Sequence, residues 1–158
     1  WVNFIVIKPY GPGHFINGFS VTGNVFRSLN GAIDRVEAVD TTFADLDYAR
    51  TRDFTFAANS FHNVTEKVAN PASLTHEPVT EAATWLVETG SALPFDGYAL
   101  AVDAVMPNGP ITDAGGARVQ DLPWAEGRQG SDQRDLNLQW GSPVKGHIRY
   151  QVRMDLTD

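Results

Sequence analysis

Side-chain polarity alternates with a two-residue period along much of this chain, the pattern of strands with one face in a core and the other in water. The alternation is cleanest from Val144 to Leu156, where apolar or small residues interleave without error with Lys145, His147, Arg149, Gln151, Arg153 and Asp155. Leu136, Leu138 and Trp140 alternate in the same way with Asp135, Asn137 and Gln139. Phe15, Phe19, Val21 and Val25 share one parity and are interrupted by Gly18 and Gly23, which predicts a bulged strand. Phe95 to Met106 and Val2 to Ile7 are almost continuously apolar and predict strands covered on both faces, with Asp53 to Phe56 a shorter candidate.

Ala32 to Asp40 alternates only loosely. Glu81 to Glu88 fits two helical turns as readily as a strand, and with Thr80 as N-cap and Gly90 behind it predicts a short helix near 81–89. The stretch from Pro107 to Asp132 holds five glycines and three prolines, which predicts a long connection with one short strand at Ala117 to Leu122. Helical periodicity is otherwise scarce and no internal repeat emerges. The expected fold is therefore all-β or mostly β, an antiparallel β-sandwich or jelly-roll-like arrangement forming one domain over residues 1–158.

Composition refines this picture. Apolar residues make up 42% of the 158 positions, which is globular and not disordered composition. The formal charge of −7 repels nucleic-acid backbone and anionic membrane, so no nucleic-acid partner is expected. Zero cysteines exclude disulfides, thiolate metal sites and a Cys nucleophile. No apolar stretch approaches the roughly 18 residues of a membrane-spanning helix. The chain opens on Trp1-Val2-Asn3-Phe4 without a Met, and the expectation is that it is the mature or excised part of a longer chain.

Catalytic signatures are sparse. A Gly-x-Ser-x-Gly elbow is absent, and Gly11-Pro12-Gly13 has Ile16 where a dinucleotide loop needs glycine. The histidines His14, His62, His76 and His147 never fall at the i, i+4 spacing of a zinc helix, and Pro78 breaks the motif that His76-Glu77 begins. Asp45 and Asp47, at i and i+2, are the candidate metal ligands, although the spacing and glycine of a calcium loop are missing. Asn63-Val64-Thr65 is a glycosylation sequon. Any carboxylate pair among 19 acidic residues leaves an Asp/Glu-dependent hydrolase or lyase open, helped by His62 or His147. No cofactor is expected.

Aromatic faces stack on sugar rings, which turns attention to Trp1, Trp85, Trp124 and Trp140. Trp85 and Trp140 sit on apolar faces and belong inside, whereas Trp124 lies in the long connection with Glu126 and Arg128. Those three residues, with the loop around His14, are the expected contact surface.

Leu93-Pro94-Phe95-Asp96-Gly97-Tyr98, followed by an apolar run, resembles the Pro-Phe-Asp-x-Tyr opening of some extracellular β-sandwich domains tethered to membrane helices. The resemblance implies architecture only. The resulting expectation is a non-enzymatic module of an extracellular, cell-surface or virion protein that binds a protein partner or self-assembles. Carbohydrate binding is the alternative, and Asp/Glu-dependent catalysis the second alternative.

Overall fold

Short strands separated by sharp turns dominate the computed structural model, which describes residues 3–156. It is mostly β, as expected, and among the described residues no helix is long and apolar enough to cross a membrane. Its two halves are built on different rules.

Residues 3–70 hold six three-residue strands: β1 (Ile5–Ile7), β2 (Ser20–Thr22), β3 (Val25–Arg27), β4 (Glu37–Val39), β5 (Thr55–Ala57) and β6 (Ser60–His62). They pair in parallel, β1 with β4, β2 with β5 and β3 with β6. Val21 lies beside Phe56 and Phe26 beside Phe61, each 35 positions further on. The chain thus makes two stacked coils of a parallel β-solenoid.

This register exposes a repeat that alternation alone does not find. Phe19-Ser20-Val21-Thr22-Gly23-Asn24-Val25-Phe26 aligns with Phe54-Thr55-Phe56-Ala57-Ala58-Asn59-Ser60-Phe61, sharing both end Phe residues and the Asn. The Phe rings stack from coil to coil: Phe19 on Phe54 at 5.7 Å, and Phe26 on Phe61 at 5.7 Å. Gly23 and Ala58 turn the chain in the left-handed region, at φ of 69° and 55°. Glycine does this without strain, whereas Ala58 does so at a cost of about 1–2 kcal/mol. The Asn behind each turn compensates: Asn59 Oδ1 accepts from the Asn24 backbone N–H at 2.9 Å, and Asn59 Nδ2 donates to Val21 O at 2.9 Å.

The second half is antiparallel. One sheet has the order β7 (Ala72–His76), β13 (Ile148–Arg153), β9 (Ala101–Pro107). In the other, the eleven-residue β12 (Asp135–Lys145) pairs with β8 (Ala82–Val87) on one side and with β11 (Trp124–Gln129) and β10 (Thr112–Asp113) on the other. Trp85, Val87, Leu136, Leu138 and Val144 of this sheet and Ile148, Tyr150 and Val152 of the other are buried in a shared core. Trp85 lies 4.8 Å from Trp140 and 5.8 Å from His76 of the facing sheet. The arrangement is compatible with a sandwich.

Several local expectations need correction. Residues 82–87 form β8 and not a helix, because Trp85 and Val87 point into the core while Leu86 is exposed, and Thr84 to Val87 pair residue by residue with β12. The Val144 to Leu156 alternation is shared by the end of β12 and by β13. The chain breaks at Gly146, where a Cβ would stand 2.6 Å from Ile111 Cδ1 and 2.9 Å from Pro110 O. Ala117 to Leu122 forms no strand, and the long connection instead contains β10 and β11. The Phe95 to Met106 strand begins only at Ala101, and the Val2 to Ile7 strand is seen as β1, with Trp1 and Val2 outside the described residues.

The halves are joined at the far edge of the second coil. Asp155, fully buried, accepts from Phe54 N at 2.8 Å, Asn70 Nδ2 at 2.8 Å and Arg153 Nε at 2.9 Å. Burial works against its charge, and the hydrogen bonds from Arg153, Asn70 and Phe54 more than offset this, so its pKa lies below the ordinary value. Leu156 bridges Arg52, and Asn70 exchanges two backbone bonds of 2.9 Å with Phe56.

Candidate functional site

Where the coils meet the sheets, a cleft of about 590 Å³ opens between β4, the turn at Pro94–Asp96 and the loop leading into β12. Its floor is Arg35, the residue two before the first buried acid of β4. Two of its nitrogens, Nε and Nη2, converge on Glu37 Oε1 at 2.8 and 2.6 Å; Nη1 reaches Glu66 at 3.0 Å and Asp96 at 2.9 Å, and Nη2 also donates to Leu93 O at 2.8 Å. Burial opposes the guanidinium charge, but the pull of Glu37, Asp96 and Glu66 wins, and its pKa is raised. The fork is therefore fixed in place.

Glu37 stands in a position where its parallel neighbour, Ile5, is apolar and packs, partly buried, against the core. Its Oε1 also accepts from Phe95 N at 3.0 Å, while Oε2 is buried without a hydrogen-bond partner. That bond holds an unusual turn: Phe95 and Asp96 are both left-handed, at φ of 57° and 54°. Two such residues in succession cost a few kcal/mol and persist because Phe95 is buried against Phe54 at 6.0 Å. The turn points Asp96 into the cleft, where Oδ1 accepts from Arg35 and, at 2.9 Å, from Arg134. Arg134 also binds Asp132, whose carboxyl this hydrogen bond draws below its ordinary value.

The opposite wall carries Thr41, Asp45 and Tyr48. Burial, with Asp45 close by, pushes the Tyr48 hydroxyl well above the ordinary phenol value, so it stays a neutral donor. Between Thr41 and Asp45 in the chain, Phe43 stacks on Tyr10 at 5.5 Å with both rings well exposed, and Lys8 sits 5.0 Å over Phe43.

Of the residues singled out from sequence, Asp45 lines the cleft. Asp47 donates its backbone N–H to His14 O at 2.7 Å, which places the His14 loop beside that wall. Among the described residues no group of three or more His, Asp or Glu is placed to hold a metal ion. Trp124 opens β11 opposite Gln139 and is 66% exposed, so it is a strand residue facing solvent and not a loop residue. Glu126 accepts from Gln139 at 3.5 Å, and Arg128, left-handed at the β11 bulge, lies 5.6 Å over Tyr98, which in turn is 5.4 Å from Tyr48. Asn63 follows β6 and donates its side-chain amide to Ser28 O at 2.9 Å. His62 ends β6 and His147 contacts Asn108 at 3.2 Å; neither lines the cleft. Trp1 lies outside the described residues.

Sequence reasoning missed Arg35, Glu37, Tyr48, Asp96 and Arg134. The one local signal was an acid, Glu37, inside a stretch that otherwise alternates toward strand. No protein-family model, curated protein or solved structure matches the chain.

Proposed function

We propose that the chain is a non-catalytic carbohydrate-binding module of an extracellular, cell-surface or virion protein, and that the sugar lies in the cleft between Arg35 and Tyr48. The observation that carries this reading is the pairing of a polar cleft with the exposed Tyr10–Phe43 stack, Phe43 lying in the chain between the lining residues Thr41 and Asp45. Sugar hydroxyls need fixed donors and acceptors, and sugar C–H faces need an aromatic surface. Binding is favoured over hydrolysis because Glu37 and Asp96, carboxylates that meet Arg35, are both engaged by guanidinium groups.

A glycan array followed by calorimetric titration of the best ligand tests the proposal. Phe43→Ala and Asp45→Asn are each expected to weaken binding about tenfold with the melting temperature nearly unchanged. Release of reducing ends from the ligand, or affinity indifferent to both substitutions, would reject it.

Docking of a protein partner is the second reading. It is favoured by Trp124 and Leu122, both exposed at the head of the edge strand β11. Trp124→Ala separates the two, since it abolishes protein capture and leaves sugar affinity intact.

A further inference from the structure

The two ends of the solenoid are not alike. The far edge of the second coil is covered: Asn70 pairs with Phe56, Leu156 exchanges backbone bonds with Thr51 and Asp53, and Asp155 receives Phe54 N–H. The near edge of the first coil has no such cover among the described residues, since β1, β2 and β3 each pair on one side alone. Stacked coils require a cap at each end or another coil, because an open parallel edge leaves its outward N–H and C=O groups to water.

The side-chain ladder has a direction that says what belongs there. Asn59, behind the left-handed turn of the second coil, reaches back to the first: its oxygen takes the Asn24 N–H and side-chain amide at 2.9 and 3.1 Å, and its nitrogen gives to Val21 O. Asn24 occupies the same turn position one coil earlier and is exposed, with its side-chain nitrogen turned to its own Thr22 O at 3.2 Å. Phe4 is exposed at this same end, lying edge-on to Phe26 at 5.5 Å, the ring that stacks on Phe61 below.

We propose that the edge formed by β1, β2 and β3 seats a third coil of the same repeat, supplied by the polypeptide on the N-terminal side of β1 and stacked in parallel at the same 35-residue offset. Asn24 would then do for that coil what Asn59 does for the first, taking the N–H behind its turn and giving to its strand carbonyl. A second copy of this chain fits less well: an edge-to-edge pair of first coils runs antiparallel and cannot continue the Asn and Phe ladders.

Hydrogen exchange on two proteins tests this: the chain itself, and the chain preceded by a copy of its own residues 1–35. In the chain itself, β2 and β3 should exchange on the order of tenfold or more faster than their partners β5 and β6. In the extended chain, β2 and β3 should slow to the rates of β5 and β6, and the added coil should resist protease. Equal protection of the two coils in the unextended chain would overturn the proposal, sedimentation showing whether the cover is a second copy or the chain itself. An added coil that is digested while β2 and β3 stay fast would overturn it too. Should the extended chain not fold, the comparison within the unextended chain still decides.

Discussion

The solenoid half and the two-sheet half bury similar side chains but obtain their order differently. In residues 72–153 five of the seven strands run to six to eleven residues, so one such strand carries enough alternation to specify its own inward face. In residues 3–70 each strand is three residues long, and a single coil specifies almost nothing by itself. Its faces are set by the coil above or below, through Phe26 on Phe61 and Asn24 on Asn59. A sheet strand is a local statement, whereas a coil is a relation between positions 35 apart.

The contrast yields substitutions that break it by different amounts. Phe56 is fully buried and lies 6.1 Å from Phe26 and 6.5 Å from Phe61, so Phe56→Ala should cost about 4 kcal/mol in urea unfolding. Unfolding that leaves β8 and β12 protected would show the halves to be energetically separate.

Asp155→Asn tests the joint itself. Replacing an acceptor that serves Phe54, Asn70 and Arg153 should cost about 3 kcal/mol, because Arg153 then loses its buried partner. Its folded-state pKa is lowered, so its contribution is complete above the ordinary carboxylate value near 4 and fades as pH falls through the folded value. The gap between wild type and variant should accordingly narrow below about pH 4. A constant gap from pH 7 to pH 2 would deny the ionic role.

Smaller effects sharpen the difference between the coils. Asn59→Ala should cost about 1–2 kcal/mol through its lost bonds to the first coil, while Asn24→Ala should cost a few tenths. Equal losses would contradict the direction of the ladder. Least of all, Trp124→Ala should move stability by under about 0.5 kcal/mol, since its side chain faces water; a loss of several kcal/mol would make it a core residue.

How much of this the sequence discloses follows from the same physics. The inward faces of β12 and β13 and the burial of Trp85 and Trp140 are legible because period-two alternation persists over several residues. The helix expected near 81–89 failed because Ala82-Ala83-Thr84-Trp85 has no local preference strong enough to compete with pairing to β12. The coils were hidden because the repeat retains only three identities in eight positions, with Gly23 answered by Ala58 and Val21 by Phe56. The cleft was hidden for a related reason. Arg35, Asp96 and Arg134 lie far apart in the chain and meet only after the coils dock on the sheets. Asp45 was visible as an exposed acid, but its partner Tyr48 was not.

Long-range nuclear Overhauser contacts measured in solution address the stacking of the coils most directly. Backbone contacts linking Val21 to Phe56 and Val25 to Ser60 in the same strand direction, together with Phe26 ring contacts to Phe61, are what stacked parallel coils require. Contacts of the same residues in antiparallel order, or their absence while β12 and β13 show theirs, would contradict the account.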